Sequence, residues 1–490
     1  MGAERRRRAK RFPRPRYVLC RGAEPRVPIR GSAREALVVF AASVAQRYNW
    51  GPVLQAALLL DDPSGWRVHL PKVGSDEPNA PFNVTASKMN YRDASVLSGI
   101  SEESFAKPSS RYADLGRYGK CFNKGLPAGT EVRCRLGASA GEGPILANTS
   151  WTRGRITRCS NGELRHEFAI CPLAGQAYRW QRQPDPPRRL RVELGLFPPG
   201  AAAAFAVAPL ELCQVEAPLR GASICTMPLY GFGRARQEHP WALDDWLTYH
   251  LDIFGFDHAT LYDVDGSLAE GLDAWGGRGV TYHGSWPSAL SPTMAALSRS
   301  FPSCTETWAY AHCMVTHRAT SQWVVLLHSL DEYVAARNRS AEGALPLVLG
   351  ELKASVGDAQ PQQGALGLVQ LLAASFARGG AGAEEAPRRR GSVLAASRLR
   401  GHWHDPFTPM INPGACICAG PHTCYRAVDV PGGGMDRLHR MDSDHLVVNH
   451  YLEMFDRDRG RCGRVGRGPC QEWDTSMVGA IRLLRMRGGR

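Results

Sequence analysis

Two rhythms of apolar and polar residues run along this chain and mark off two halves. From about 50 to 215 the apolar residues come in short patches, at 53–60, 167–171, 190–197 and 205–210, between clusters of Gly, Pro, Asn and Asp. Patches of that length between turn-forming residues predict a β-rich region. Beyond 218 the pattern lengthens. A strand at 223–229, a helix from 241 to 251 and a strand at 258–263 predict the opening of a βαβ unit, hence a parallel sheet with a right-handed crossover. The clearest stretch runs from 304 to 334. Trp308, Ala311 and Val315 recur at intervals of three and four, one face of a helix. The run 323–327 is then unbroken Trp, Val and Leu, which predicts a strand covered on both faces.

Residues 1–34 are basic, contain proline and lack periodicity, so disorder is expected there. Residues 36–45 are an apolar stretch behind that basic flank. They have the length of a signal-peptide core and are too short to span a bilayer; a buried strand or helix is the preferred reading. No stretch reaches the roughly eighteen apolar residues of a membrane span. The segment 360–391 is rich in Ala, Gly and Gln and ends in Arg388-Arg389-Arg390, which predicts a flexible insertion at about 341–400. Within it 347–356 and 366–377 read as helices, the second equally as a buried strand. The expected organisation is a basic N-terminus at 1–34, a β-rich accessory domain at 35–215 and an α/β domain at 218–490 carrying that insertion.

Composition refines this picture at the surface. The 43% hydrophobic and 22% charged fractions are those of a globular protein. The net charge of +14 comes mainly from arginine, with runs at 5–8 and 388–390. Arginine suits phosphate, so anionic partners are expected: a nucleotide sugar, a membrane surface, an acidic glycan or nucleic acid. A genome-wide preference for Arg over Lys gives the same count, and no nucleic-acid motif accompanies the runs. Fourteen cysteines and the sequons at Asn83, Asn148 and Asn338 point to a secretory compartment.

The candidate chemistry sits where the 323–327 run stops, at His328-Ser329-Leu330-Asp331-Glu332-Tyr333. Ligands of open α/β sheets bind beyond the carboxyl ends of the strands. Adjacent carboxylates there suit a hard divalent cation that carries phosphates, or are simply a solvated strand end. If the strand continues this far, Ser329 and Asp331 share a face, since side chains alternate. A literal Asp-x-Asp occurs at Asp263-Val264-Asp265, after the 258–263 strand. Gly231-Phe232-Gly233 lacks the third glycine of a dinucleotide fingerprint and reads as a loop. Cys416, Cys418, His422 and Cys424 have the residue types of a zinc site without the paired C-x2-C spacing, so disulfides or core cysteines are preferred.

Ile224–Gly231, Trp246 with His250, Cys313, Trp323, Leu330–Tyr333, Pro413 with His422, His450-Tyr451 and the tail from Asp474 to Arg487 form an ordered set of short blocks between 218 and 490. That set resembles the family 92 glycosyltransferases, formerly a domain of unknown function, which include plant β-1,4-galactan synthases. Ile224-Cys225-Thr226-Met227-Pro228-Leu229-Tyr230-Gly231 resembles the family's Y-C-x-x-P-L-Y-G opening. Trp246 and His250 match its W-x-x-x-H helix. Cys313, Trp323 and Leu330-Asp331-Glu332-Tyr333 match N-D-C-L, the following Trp and F-F-D-V-D-E-F. Pro413 with His422, then His450-Tyr451, and finally the tail from Asp474 to Arg487, follow in the family's order. No block is specific alone; the ordered set is.

The resemblance implies a GT-A-like mixed sheet and transfer of a hexose, by analogy galactose, from a UDP-sugar to a glycan acceptor with inversion. It implies Mn²⁺ or Mg²⁺ held by Asp331 with Ser329 and His422, and a base drawn from Glu332 or Asp474. It places Cys225, Pro228, Tyr230, Asp263, Asp265 and His450 near the nucleotide, so that Asp263-Val264-Asp265 marks a second strand end rather than the metal site. A Golgi lumen location with a membrane anchor is expected too, and the lack of an apolar span points to a divergent or incomplete N-terminus. Two departures bear on activity: the first metal aspartate is Ser329, and the Asp before the family's Cys is His312. A glycan-binding pseudoenzyme that has lost the metal motif is the alternative these departures raise.

Overall fold

The computed structural model describes residues 16–20, 25–47, 51–62, 67–71, 89–93, 120–122, 125–137, 150–160, 165–173, 187–287, 305–336, 339–356, 368–377, 399–420, 423–427, 439–440, 445–451, 472–473 and 477–487, with isolated residues between them. The 1–15 part of the basic terminus, most of 357–398, and the three sequon asparagines lie outside the described residues.

The first half is an antiparallel sheet that closes on itself. Its strands run in the order Arg155–Ser160, Arg165–Pro172, Gly51–Asp61, Ala36–Arg47, Tyr17–Leu19, Ala206–Gln214, Arg189–Phe197, Glu131–Leu136 and Thr152–Arg153. The two end strands are consecutive in sequence and meet at Gly154, whose N–H donates to the carbonyl of Val132. Only glycine fits this corner, because a Cβ would lie 2.5 Å from Cys171 Sγ and 2.7 Å from the Ile170 carbonyl oxygen. The interior is apolar, with Leu37, Leu54, Leu58, Leu194 and Leu210 in one cluster, and the Cys134–Cys171 disulfide ties two of its strands.

At 36–45 and 52–61 in the two central strands successive residues are all buried. Leu37, Val39, Leu54 and Leu58 point into the barrel, whereas Val38, Phe40, Val53 and Leu59 point outward into a second core. A strand covered on both faces needs apolar residues throughout, and the 36–45 stretch is accordingly an interior strand.

The second half is a mixed sheet. Val280–His283, His258–Asp263, Arg220–Leu229 and Ser321–Leu327 lie side by side and parallel. Leu399–Ile411 joins antiparallel to 321–327, followed by Leu368–Ala377, Val447–His450 and Glu332–Ala335. One face carries the helices Phe232–Glu238, Ala242–Leu247, Ala344–Val356 and Val478–Arg487, and the 242–247 helix runs on as a wider turn through Thr248–Phe254. The 344–356 helix and the 368–377 strand lie inside the expected insertion, yet both are structural. Ala344, Leu345, Val348 and Leu352 make an apolar helix face, and Val369 and Leu371 sit in the sheet core. Among the described residues no helix is long and apolar enough to cross a membrane.

Between the two halves lies the helix Glu306–His317. Residues 307–315 are all buried, because one side meets the 220–229 and 321–327 strands and the other meets the outer face of the barrel. Trp308, Tyr310 and Met314 share a core with Val38, Phe40 and Phe168. At the helix end the buried Arg318 guanidinium donates to Gln55 Oε1 at 2.8 Å, and Cys159 of the barrel is bonded to Cys418 of the Cys416–Ala419 strand. The β-rich half and the α/β half therefore share one core.

Candidate functional site

The 321–327 strand ends in a turn at His328–Asp331 before the chain re-enters the sheet as Glu332–Ala335. The strand thus stops short of 329, and strand alternation does not relate Ser329 to Asp331. The short 332–335 strand is held from behind. Trp246 Nε1 donates to the Glu332 carbonyl at 2.9 Å, Tyr249 OH to the Val334 carbonyl at 2.8 Å, and Val334 N–H to His250 Nε2 at 3.2 Å. His250 Nδ1 lies 2.9 Å from the Trp246 carbonyl, so its hydrogen sits on Nδ1 and the ring stays neutral. Burial pushes its pKa down to about 3, which keeps that tautomer across the physiological range. The Trp and His that carry the resemblance at 246 and 250 thus position the strand and do not face the site.

In front of the strand, three carboxylates and two imidazoles converge. Glu332 Oε2 accepts from the His328 N–H at 2.7 Å, and Glu332 Oε1 lies 3.2 Å from His328 Nδ1. His328 Nε2 is 3.7 Å from Glu306 Oε1, at the first turn of the 306–317 helix. His450 follows from the pairing of 447–450 with 332–335, in which Glu332 faces His450. Its Nε2 stands 3.5 Å from Asp331 Oδ1 and its Nδ1 3.9 Å from Glu332 Oε1. Asp331 and Glu332 are buried, while the two imidazoles are each 26% exposed and form the rim.

The electrostatics follow from this crowding. Burial lowers the His328 pKa, but Glu332, then Glu306 and Asp331, outweigh it and raise the value to about 9. Burial raises the Glu332 pKa, and His328 with His450 outweighs that and holds it below its ordinary value. His450 is disfavoured as a cation by burial, yet Asp331 and Glu332 bring its pKa above the ordinary one. At neutral pH the Glu332–His328 pair is ionic, with both Glu332 oxygens engaged by His328.

The literal Asp-x-Asp is built differently. Asp263 is fully buried and accepts from the N–H groups of Asp265, Gly266 and Leu268 at 3.2, 3.1 and 2.8 Å and from Tyr282 OH at 2.8 Å. Asp265 accepts from Gly231 N–H at 2.7 Å and from Ser267 N–H at 3.2 Å. Burial and the neighbouring Asp265 raise the Asp263 pKa against the pull of Leu268 and Tyr282. These carboxylates fasten the loop after the 258–263 strand to the loop at Gly231, whose φ of 66° suits glycine.

The remaining expected site residues are spread out. Cys225 is bonded to Cys313 and offers no free thiol. Pro228 lies in the 220–229 strand, beside Tyr262 after a bulge, and Tyr230 follows at the carboxyl end. Ser329 is buried, its carbonyl accepting from Glu332 N–H at 3.3 Å. His422 and Asp474 lie outside the described residues. His312, in place of the family's Asp, is buried and bonded to Tyr262 OH at 2.8 Å, within a ring cluster completed by His283 and Trp286. Glu306 escaped sequence reasoning. The signal for it was an acid in the first turn of a helix, which the helix dipole alone explains.

The donor set fits a hard cation in part. Asp331 and His450 are adjacent and of types that Mn²⁺ and Mg²⁺ or Zn²⁺ accept, whereas Glu332 is committed to His328. Among the described residues, the three side chains of ligand type close enough to share one ion are Cys225, Cys313 and His317, not the 328–332 group. A cation at Asp331 and His450 therefore needs ligands from a bound diphosphate or from beyond the described residues. No protein-family model matches this chain, and no curated protein matches it.

Proposed function

We propose that the chain is a GT-A-type glycosyltransferase that moves a hexose, by the resemblance galactose, from a UDP-sugar to a glycan acceptor with inversion. The observation that carries the reading is the convergence of Asp331, Glu332, His328, His450 and Glu306 just past the carboxyl end of a central parallel strand. In such sheets that position receives phosphorylated ligands. Asp331 and His450 would hold Mn²⁺ or Mg²⁺, and such a cation supplies neutralisation of the diphosphate as it leaves. Glu332 and His328 fix the turn that presents Asp331. Because His328 holds the Glu332 carboxylate in its ionised, hydrogen-bonded form, Glu332 is a weak proton acceptor. That leaves Asp474 as the other sequence candidate for the base that takes the acceptor hydroxyl's proton.

Five disulfides among the described residues, joining Cys20 to Cys213, Cys134 to Cys171, Cys159 to Cys418, Cys225 to Cys313 and Cys416 to Cys424, favour an oxidising compartment, and we place the enzyme in the secretory lumen, as expected for the Golgi. Ser329 and His312, standing where the family has aspartates, favour a second reading, a glycan-binding protein without transfer activity. Calorimetry with UDP, with and without Mn²⁺, followed by a hydrolysis screen over UDP-sugars, separates them. Mn²⁺-dependent UDP binding that Asp331→Ala removes supports the enzyme. Glycan binding in the absence of any nucleotide affinity supports the second reading.

A further inference from the structure

Away from that turn, the middle of the shared core holds Cys225 on the 220–229 strand and Cys313 and His317 one helical turn apart on the central helix. Cys225 Sγ, Cys313 Sγ and a ring nitrogen of His317 all lie within 4.8 Å of one another, and all three residues are buried. In the oxidised protein the two sulfurs are bonded to each other. From this juxtaposition we infer that the reduced protein carries a Cys₂His site for a thiophilic divalent cation, zinc, so that this position holds either a disulfide or a metal.

The chemistry balances with a dithiol as reductant. Thiol–disulfide exchange breaks the Cys225–Cys313 bond, the dithiol leaves as its own disulfide, and two thiols remain. Metal binding then expels both thiol protons, since the thiolate is the ligand. Two thiolates and a divalent cation make a neutral unit, whereas a monovalent cation such as Cu⁺ would leave a net negative charge in an apolar core. His317 is suited to the third position because its ring is buried within reach of both sulfurs, with the His258 ring 5.6 Å away. The groups facing it are hydroxyls: Thr260 Oγ1 at 2.9 Å from Nε2, and Thr320 and Ser321 Oγ at 3.1 Å from Nδ1. One nitrogen can therefore turn to a metal while the other keeps a hydrogen-bond acceptor, the second-sphere arrangement usual for zinc-bound histidine.

The test uses the full chain, reduced with dithiothreitol without denaturant and titrated with Co²⁺, whose thiolate charge-transfer absorption reports sulfur ligation. The other disulfides contribute the same background to every variant. Wild type should take up one more thiolate-bound Co²⁺ per chain than Cys313→Ser, and His317→Gln should weaken that uptake by at least about tenfold. Equal uptake by wild type and Cys313→Ser, or an unaffected His317→Gln, overturns the inference. Should Cys313→Ser fail to fold, wild type alone decides. Zn²⁺ added before reoxidation should suppress the 225–313 cross-link in peptide maps while the 20–213 bond re-forms, and a 225–313 bond that re-forms equally well with zinc overturns the site.

Discussion

Two acidic strand ends lie within one sheet, and they use their carboxylates in opposite ways. At Asp263-Val264-Asp265 the oxygens accept from backbone N–H groups and a tyrosine, so that they close a loop. At Asp331-Glu332 the partners on the solvent side are two partly exposed imidazoles and a third carboxylate. The first has the better motif and the second the better site. A carboxylate saturated by its own chain has nothing left for a ligand, and no spacing rule sees that.

The largest expected effect contrasts the two directly. Asp263→Ala should strip the acceptor from four donors and cost about 3 kcal/mol or more of stability, measured by urea unfolding, with only mild loss of UDP binding in the protein that folds. Asp331→Ala should remove Mn²⁺-dependent UDP binding and leave the unfolding midpoint nearly in place. Calorimetry showing the opposite ranking would transfer the metal site to Asp263.

A somewhat smaller effect is expected at the support behind the second end. Trp246→Phe leaves the Glu332 carbonyl without its indole donor in a buried place, which costs about 1–3 kcal/mol. Nucleotide affinity should fall with it if the 332–335 strand positions the site, whereas an unchanged affinity would separate the strand from the chemistry.

Ser329→Asp should tighten Mn²⁺ binding about tenfold, or 1.4 kcal/mol, as the scale for one added charged ligand. Because Ser329 is buried beside Asp331 and Glu332, the metal-free variant should at the same time be less stable than wild type. Unchanged metal affinity in a folded variant would show that position 329 does not face the cation, leaving Asp331 and His450 as its protein ligands.

The pH dependence is the finest contrast. Glu332 titrates below its unfolded value, so its contribution is present above about pH 4.5 and is lost as pH falls through the folded pKa. His328 titrates near 9, so its contribution is full below about pH 6.5 and is lost as pH rises toward 9. Asp263 titrates above its unfolded value and therefore gains stability on acidification. Glu332→Gln should flatten both the acid and the alkaline limb of a stability–pH curve, and Asp263→Asn should steepen the acid limb. Identical curves for the two variants would erase the distinction between the ends.

Much of the central architecture was legible. The period of Trp308, Ala311 and Val315 and the apolar run at 323–327 correspond to the 306–317 helix and the 321–327 strand, since both patterns answer to local burial. The one-sided helix face was too modest, because a helix pressed between two sheets is covered nearly all round. Barrel closure at Gly154 left no readable sign; it depends on which strands meet, a matter of distant contacts. Within the site, Asp331, Glu332 and His450 were named from sequence, and the 332–450 strand pairing brings them together. Glu306 was missed because it arrives from another element, and the loop-closing role of Asp263, already set apart from the metal site, left no sign because its donors are mostly backbone groups common to every residue.

The position of the 306–317 helix has a consequence for how the chain is made. The barrel's outer wall, Val38, Phe40, Val53 and Phe168, finds its covering only when residues some 140 to 280 positions later have been synthesised. Contacts of that sequence separation slow folding and leave apolar surface waiting. During synthesis the first half should linger as a chaperone client until the helix emerges. A fragment ending near 215 should aggregate, and one starting near 218 should do likewise for want of the same wall.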